Sequence, residues 1–226
     1  MLFDLHMHSR YSVDALTKPE TIVKICKKNN WGFSLTDHNN MNAYSKGKIK
    51  QIAKKQDVFI IPGEEIKVLD KNDKCVGEVI GYFLNEEIVP TTFENILDSI
   101  KEQGALLSCP HPFDWPRKNF KAFPKEWKKF DSMEVYNARA YYQGLNVNSM
   151  DFYQNVAKGQ LTPLANSDAH TPEEIGNGLT KIDAVNETEF RREIKKRNTL
   201  PMPQGKAKLW HHFQTQMARK HWMKER

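Results

Sequence analysis

Two pairs of residues in this 226-residue chain have the types and the spacing of metal ligands. One residue separates His6 from His8, and one residue separates Asp168 from His170. Because successive side chains of a β-strand point to opposite faces, the two members of each pair would lie on one face. Imidazole nitrogens and carboxylate oxygens that converge in this way can chelate a transition-metal ion. The spacing therefore predicts a metal site that joins the beginning of the chain to residues near position 170.

Three short motifs between these pairs contain further candidate ligands. In TDHN, His38 shares a strand face with Thr36, whereas Asp37 points away and would support a ligand or have only a structural role. Glu65 lies in GEEI, and His111 lies in PHP. Any one of these motifs occurs often by chance. Together, five of the eight histidines fall at the ends of predicted strands, where burying so many ionisable groups without a cation would be unfavourable.

The segments that carry these motifs alternate with segments of helical pattern. Strands are predicted at 1–8, 33–38, 58–68, 75–84, 105–112, 132–137, 161–170 and 178–185. Helices are predicted at 18–30, with Pro19 in the first turn, and at 44–55, 92–103, 146–158 and 187–197. Repeated β-then-α units are typical of a parallel sheet or barrel covered by helices, and such folds place their sites at the carboxyl ends of the strands. The candidate ligands follow that rule.

Length and composition fit one globular domain. The chain has 39% hydrophobic and 27% charged residues, which is ordinary for a soluble protein and excludes wholesale disorder. It contains no apolar run near the ~20 residues that cross a bilayer, and its N-terminus lacks the basic start of a signal peptide. We therefore expect a cytoplasmic protein without a membrane partner. The cysteines Cys26, Cys75 and Cys109 form no C-x-x-C motif, which argues against a disulfide framework and a structural zinc knuckle.

The last third of the chain carries much of the net charge of +6. A basic surface suits an anionic substrate, but a solvated face explains it equally well. The segment LPMPQGK, with two prolines and a glycine, is expected to end the compact body. Beyond it, Trp210, Phe213 and Met217 recur at helical spacing between basic residues. The pattern predicts one compact domain at 1–200 and an amphipathic helical extension at 201–226.

The ordered motifs DLHMHSRYSVD, LTDHN, PGEEI, PHP, EVYN and NSDAH resemble those of the PHP (polymerase and histidinol phosphatase) domain family. The resemblance covers nearly all of residues 1–200. It implies an α/β fold, a distorted (β/α)7 TIM-like barrel, that binds two to three divalent ions, commonly zinc, manganese or iron. It also implies a metal-dependent phosphoesterase, since members include histidinol-phosphate and nucleotide phosphatases, exonucleases and domains of bacterial DNA polymerases.

The ligands that the resemblance implies fall into three groups. They are His6, His8 and Asp168 for the first ion; Glu65 as a bridge to the second ion, which His111 also binds; and Asp14, His38 and His170 for the third.

Three further glutamates lie in or near these motifs, namely Glu64, Glu78 and Glu134. Glu64 competes with Glu65 for the bridging position, and we prefer Glu65 because the family places an isoleucine directly after this ligand. Glu78 stands in VGEVIGYF, where many members have a histidine. A carboxylate is a harder donor than imidazole, so Glu78 as a ligand would shift the preference toward manganese or iron, or else the second site is weakened. Glu134 of EVYN is expected to support a ligand, contact the substrate or simply help to form the strand.

The mechanism that the resemblance implies uses a metal-bridging hydroxide as nucleophile, with Asp168 or His170 shuttling the proton. A phosphate group also needs other donors. Arg139, directly after EVYNA, is the first candidate because a guanidinium can grip phosphate oxygens in a bidentate way, and Arg117 is the second. Either could instead be a surface arginine. The aromatic residues of the loop that contains Arg117 are expected to cap the barrel rather than to stack a nucleobase; they are Phe113, Trp115 and Phe120.

Three other functions compete with hydrolysis of a small phosphate monoester. An exonuclease acting on short nucleic acids would use the basic C-terminal segment. A C–N hydrolase of the amidohydrolase type also begins with H-x-H, but Glu65 and the TDH and NSDAH motifs favour phosphoester chemistry. A catalytically silent metal-binding module would have lost ligands, and this sequence keeps almost all of them. We therefore expect a small phosphorylated substrate as partner, with nucleic acid as the alternative.

Overall fold

The computed structural model describes residues 1–224, with side chains through residue 220, and its strands form one nine-stranded sheet. The strands are β1 (Leu2–Asp4), β2 (Trp31–Leu35), β3 (Ile60–Leu69), β4 (Cys75–Tyr82), β5 (Leu106–Cys109), β6 (Ser132–Asn137), β7 (Thr162–Asn166), β8 (Gly178–Ile182) and β9 (Thr199–Pro203). The helices are α1 (Pro19–Asn29), α2 (Asn42–Ser45), α3 (Ile49–Lys55), α4 (Phe93–Glu102), α5 (Phe123–Glu126), α6 (Gly144–Phe152), α7 (Glu187–Lys196) and α8 (Leu209–Lys224).

The sheet order is β7-β6-β5-β4-β3-β2-β1-β8-β9. Four neighbouring pairs are parallel and four are antiparallel, so the sheet is mixed, where the repeated β-then-α units predicted a parallel sheet or barrel. The turn at 70–74 joins β3 to β4 as a hairpin, because the Asp70 carboxylate accepts hydrogen bonds from the backbone N–H groups of Asn72 and Lys74. The chain thus reverses here without a crossover helix.

The two ends of the sheet approach each other and nearly close a barrel. The Thr180 hydroxyl bonds both the N–H and the carbonyl of Ala165, each at 2.9 Å, and so links β8 to β7. The Thr199 hydroxyl donates to the Pro163 carbonyl at 2.7 Å and links β9 to β7. These side-chain hydrogen bonds join the two ends of the sheet, in place of the backbone hydrogen bonds that would close a complete barrel. The predicted TIM-like barrel is confirmed, with nine strands instead of seven.

The inside of the barrel contains an apolar cluster. Its side chains meet because each strand turns one face toward the inside of the barrel. They include Phe3, Ile61, Ile80, Leu164 and Ile182, and Phe190 of α7 packs among them. Phe190 contacts the Phe3 ring edge-on, with the ring centroids 5.1 Å apart.

Local signals at helix ends account for most of the predicted helices. Thr92 caps α4 and Asn186 caps α7, since each side chain accepts a hydrogen bond from the backbone N–H three residues later. Pro19 occupies the first turn of α1, as predicted. The helix predicted at 44–55 is instead split into α2 and α3, because Lys48 adopts a left-handed backbone conformation with φ 51°.

The C-terminal region differs from its prediction in two ways. β9 pairs with β8 and crosses residue 200, so the sheet extends beyond the boundary predicted there. The predicted helical extension is α8, but Trp210, Phe213 and Met217 are at least half exposed, whereas Thr215 is buried against the barrel. The polar side of α8 therefore packs inward. Among residues 1–224, no helix has the length and the apolar character that crossing a bilayer requires.

Gly178 offers a test of how closely the barrel is packed where β8 passes β7. A Cβ at this position would lie 2.3 Å from the Asn166 carbonyl oxygen, and backbone cannot move aside cheaply. We expect Gly178→Ala to lower the free energy of unfolding in urea by about 1–3 kcal/mol. Gly144→Ala is the control, because a Cβ there meets no atom within 4 Å, and it should change stability by less than about 1 kcal/mol. Equal effects of the two substitutions would contradict the close approach.

Candidate metal centre

The predicted ligand pairs lie just beyond the ends of β1 and β7. Met7 and Ala169 form an isolated parallel bridge, which sets the HMH and DAH segments side by side. The Asp168 N–H donates to the His6 carbonyl at 2.8 Å, and the His8 N–H donates to the Ala169 carbonyl at 2.9 Å. The prediction of a regular strand through residue 170 is wrong, because β7 ends at Asn166 and Asp168 has φ 54°. Strained backbone of this kind is common at functional sites.

Three donor atoms of these segments converge on one point. The Nε2 atoms of His6 and His8 are 3.1 Å apart, and the Oδ1 atom of Asp168 lies 3.5 Å and 3.4 Å from them. All three side chains are buried. This arrangement matches the first ligand group of the sequence analysis.

The Glu65 carboxylate lies at the middle of the cluster, near four histidines. Its Oε1 atom is 3.5 Å from His6 Nε2 and 3.2 Å from His111 Nε2. Its Oε2 atom is 3.4 Å from His8 Nε2 and 2.8 Å from His38 Nδ1. A carboxylate with each oxygen facing a different pair of imidazoles has the geometry of a bridging ligand.

The neighbouring Glu64 faces the other side of β3. Its Oε2 atom accepts a hydrogen bond from the Ile88 N–H at 2.9 Å, and burial raises its pKa to about 8. The alternation of side chains along the strand explains why only one of two adjacent glutamates reaches the cluster. The structure therefore brings Glu65, and not Glu64, to the candidate ligands.

The remaining predicted ligands lie on the more open side of the cluster. The Oδ1 atom of Asp14 is 3.6 Å from the Nε2 atoms of both His38 and His170. The Oε1 atom of Glu78 is 3.9 Å from His38 Nδ1 and 3.3 Å from Lys118 Nζ. Glu78 thus contacts the cluster at its edge and shares its charge with a lysine.

Three sets of these atoms are close enough to share an ion, within 4.8 Å of one another. Among the described residues they are His6, His8 and Asp168; His8, His38 and His170; and His38, Glu65 and Glu78.

Glu134 supports the cluster from outside. Its Oε1 atom accepts a hydrogen bond from His6 Nδ1 at 2.8 Å, so that the lone pair of His6 Nε2 faces the other candidate ligands. Its Oε2 atom accepts from the His111 backbone N–H and from the Asn137 side chain, both at 2.8 Å. This supporting role is one of the three that were predicted for Glu134. Asn137 was not predicted to belong to the site, although it also donates a hydrogen bond to Asp168 Oδ2 at 3.0 Å. Both residues belong to the EVYN motif, which was the sequence signal that could have indicated Asn137.

Asp37 has a comparable supporting position next to His8. Its carboxylate accepts hydrogen bonds from the backbone N–H and the hydroxyl of Ser9, both at 2.7 Å, and from the Ser12 hydroxyl at 2.9 Å. Ser12 Oγ lies 3.2 Å from His8 Nδ1. Asp37 therefore points away from the cluster and holds the loop that contacts His8.

The charges of the cluster oppose the effect of burial on its ionisable groups. Burial would raise the pKa of Asp168, but the Arg117 guanidinium and His6 hold that pKa well below its usual value. Burial would also raise the pKa of Glu65, but the nearby His38 and His6 lower that pKa well below its usual value. Burial would lower the pKa of His6, yet Asp168, Glu134 and Glu65 raise it well above its usual value. The cluster therefore contains ionised carboxylates that are shielded from water.

Unpartnered buried atoms show that the donor set fits divalent metal ions. Four buried atoms that face the cluster lack a hydrogen bond: Asp14 Oδ1, His38 Nδ1, Glu65 Oε2 and Asp168 Oδ1. His38 Nδ1 and Glu65 Oε2 lie 2.8 Å apart without the alignment of a hydrogen bond. Buried polar atoms nearly always have partners, and converging acceptors gain theirs from a cation. Imidazole and carboxylate donors suit zinc, manganese and iron.

The two candidate phosphate-binding arginines lie in different surroundings. Arg117 Nη2 lies 2.5 Å from Asp168 Oδ2, and the side chain is one-fifth exposed at the edge of the cluster. Arg139 is buried, where it pairs with Glu174 and donates to the Thr215 hydroxyl of α8 at 2.6 Å. The other oxygen of Glu174 accepts a hydrogen bond from the His170 backbone N–H at 3.0 Å. These contacts engage both terminal nitrogens of the guanidinium, and the role of Arg139 as a catalytic and phosphate-binding residue stays a prediction. Of the two arginines, Arg117 is the one whose guanidinium contacts a candidate metal ligand, Asp168.

Arg139 is also expected to stabilise the fold. Arg139→Met would leave the Glu174 carboxylate buried without its cation, and we expect the free energy of unfolding to fall by about 3–5 kcal/mol. Arg192→Met is the control, because Arg192 makes an ion pair with Glu193 from a half-exposed position and should contribute at most about 1 kcal/mol. Urea unfolding of both variants measures the difference. Similar losses in the two would refute a structural role for Arg139.

The aromatic residues of the loop that contains Arg117 differ in how far they are buried. Phe120 is buried, and Phe113 packs against Phe123 and Phe152 with ring centroids 6.3 Å and 5.3 Å away. Both fit the predicted cap. Trp115 does not, since it is 70% exposed.

Comparisons with known proteins agree with this arrangement. A sequence model of the PHP domain matches residues 4–170, and a PHP-associated model matches residues 153–199. The uncharacterized protein MJ0417 of Methanocaldococcus jannaschii is 32% identical over 194 residues, which cover 82% of this chain and 72% of that protein.

Two solved structures share the fold at lower identity. One is a two-domain protein of Bacteroides vulgatus containing a predicted PHP-like metal-dependent phosphoesterase, with TM-score 0.70 and 20% identity over 90% of this chain. This chain spans 65% of its length. The other is PsfC of Pseudomonas syringae, with TM-score 0.67 and 16% identity over 100% of this chain and 98% of that one. From the match over residues 4–170, we conclude that the chain belongs to the PHP domain family.

Proposed function

We propose that this protein is a metal-dependent phosphoesterase that hydrolyses a small phosphate monoester. One observation carries the proposal: a buried carboxylate, Glu65, lies among four histidines, and the Arg117 guanidinium lies at the edge of the same cluster. Carboxylates and imidazoles bind the ions, and a guanidinium beside them binds a phosphate oxygen. Membership of the PHP domain family supports the same chemistry.

The proposed centre holds two to three divalent ions of zinc, manganese or iron. Its ligands would be His6, His8, Asp14, His38, Glu65, His111, Asp168 and His170, with Glu78 at the edge. When bound, such ions lower the pKa of a water molecule and polarise a phosphoryl oxygen.

The chain's own residues would bind and orient the substrate and move the proton. Arg117 presents its guanidinium to Asp168 Oδ2 and to Asn137 Oδ1, and a phosphate oxygen can take over part of this contact. Asp168 has one oxygen toward His6 and His8 and the other toward Arg117, so as an ionised carboxylate it would orient the arginine. Asp168 or His170, which both lie beside the proposed ions, would move the proton, and the hydrogen bond from His170 Nδ1 to the Asp168 carbonyl at 2.8 Å joins the two residues.

A panel of substrates tests the proposal. Purified protein with zinc, manganese or iron restored should release inorganic phosphate from benzyl and alkyl phosphates, and should leave lactones and amides intact. A short oligonucleotide in the same panel tests the exonuclease alternative. Arg117→Ala should raise KM for the monoester, and Lys121→Ala, at an exposed position of the same loop, serves as the control. Hydrolysis confined to the lactone, amide or oligonucleotide would overturn the proposal, as would no hydrolysis at all.

A further inference from the structure

A cleft of about 450 Å³ opens between the loop after β6 and the segment that leads into α8. The side chains that decide its character are Tyr141, Tyr142, Lys206, Lys208, Leu209 and His212. None of the described residues that line the cleft is acidic. The cleft therefore combines aromatic and aliphatic surface with positive charge.

The cleft lies next to the candidate metal centre. The Tyr141 backbone N–H donates to Asp114 Oδ2 at 3.1 Å, and that oxygen lies 3.8 Å from Arg117 Nη1. Arg117 in turn contacts Asp168. One buried carboxylate thus connects the tyrosine wall of the cleft to the arginine that is in reach of a phosphate. A substrate whose phosphate is held at Arg117 would extend its leaving group toward Tyr141.

The aromatic wall is open to a ligand. Tyr141 and Tyr142 are 58% and 55% exposed, and their ring centroids lie 4.8 Å apart at an interplanar angle of 79°. The His212 ring lies 6.3 Å from the Tyr141 ring on the opposite wall. Burial, together with Arg139 and Arg117, lowers the pKa of His212 to about 4, so this ring is neutral near pH 7. Planar rings bind favourably against such surfaces.

Two ammonium groups give the cleft its charge. Lys206 and Lys208 are both exposed and line the cleft on the side of α8. A negatively charged substituent on a ring held against the tyrosines would meet these lysines, and none of the described residues that line the cleft carries a carboxylate. The charge therefore favours an anionic aromatic group over a neutral or cationic one.

We propose that this cleft binds the leaving group of the substrate and selects phosphate esters of planar aromatic groups that carry a second negative charge. This inference rests on the proposed function of the neighbouring centre, and it adds the class of substrate. It assigns Tyr141, Tyr142, Lys206 and Lys208 to specificity and none of them to the chemical step.

Three esters, compared between the wild type and its variants, isolate the effect of the cleft, because the acidity of each leaving alcohol is the same for every protein. They are 4-carboxybenzyl phosphate, benzyl phosphate and cyclohexylmethyl phosphate. We expect kcat/KM to be about 3- to 10-fold higher for benzyl than for cyclohexylmethyl phosphate, and a further ~2- to 5-fold higher for the carboxylated ester. Tyr142→Ala should reduce the first ratio, and a Lys206→Ala, Lys208→Ala double variant should reduce the second. Trp210→Ala, on the outward side of α8, should change neither ratio.

Binding of the product separates this inference from the proposed function. 4-(Hydroxymethyl)benzoate is titrated into wild-type protein and into the double lysine variant, and the tyrosine signals are followed by NMR. Saturable binding that weakens in the variant supports the cleft even if no ester is hydrolysed, in which case only the proposed function fails. Hydrolysis of all three esters with equal kcat/KM, and no binding of the product, would overturn the cleft and leave the proposed function intact.

Discussion

Asp168→Asn is expected to reduce phosphate release by a factor on the order of 10²–10³ under conditions that give the wild type full activity. Asparagine has nearly the same shape as aspartate but no charge. Asp168 Oδ1 lies within 3.5 Å of both His6 and His8, and Oδ2 faces Arg117. The substitution therefore removes the anion that would hold an ion and orient the arginine, and it leaves the surrounding packing in place.

Kinetics with benzyl phosphate measure this effect, because kcat and KM can then be separated. Asp151→Asn provides the control, since Asp151 is an exposed residue of α6 and should retain wild-type rates. Thermal unfolding of both variants would show whether the loss comes from unfolding. An Asp168→Asn variant that is folded and retains activity within a few-fold of wild type would contradict the assignment.

Removal of metal is expected to lower the thermal stability strongly. Asp14, Glu65 and Asp168 would each keep a buried carboxylate oxygen without a partner. A ligand present at about 1,000 times its Kd stabilises the native state by about 4 kcal/mol. For a chain of this size, that difference corresponds to a decrease in Tm of about 8–16 °C. Circular dichroism of protein dialysed against a chelator, and of the same sample after zinc or manganese is restored, measures the shift.

The Asp168→Asn variant offers a matched control for this experiment. Because it would hold its metal less tightly, chelation should lower its Tm by less than it lowers that of the wild type. The same Tm with and without chelator in the wild type would mean that the cluster is stable without a cation. The interpretation of its unpartnered atoms would then be wrong.

Much of the site could be predicted because metal ligands obey local spacing rules. An interval of two residues in an extended segment sets His6 beside His8, and the same interval works for Asp168 and His170 although the backbone at Asp168 is not a regular strand. Alternation along β3 likewise brings only one of its two adjacent glutamates to the cluster. These features depend on a few neighbouring residues, and a sequence pattern contains that information.

The partners of the arginines could not be predicted in this way. Arg139 pairs with Glu174 and with Thr215, which are 35 and 76 residues away along the chain. No local pattern indicates which of two loop arginines will meet a carboxylate contributed by another part of the fold. The directions of β4 and β8 were missed for a similar reason, because an apolar run predicts a strand but does not state the direction in which it pairs.

The packing of α8 shows a further limit of periodicity. Trp210, Phe213 and Met217 recur at helical spacing, which normally indicates the side of a helix that packs on the core. Here that side is exposed, and Thr215 and His211 face the barrel because Arg139 and Glu174 provide them with polar partners. A buried ion pair on the barrel therefore determines the orientation of the helix.

Elemental analysis of the purified protein tests the central claim most directly. The claim is that the cluster around Glu65 binds divalent metal ions. After incubation with zinc, manganese or iron and removal of free metal, we expect two to three ions per wild-type chain and fewer per Asp168→Asn chain. Asp151→Asn should match the wild type. Less than one ion per chain in the wild type, or equal content in wild type and Asp168→Asn, would contradict the account.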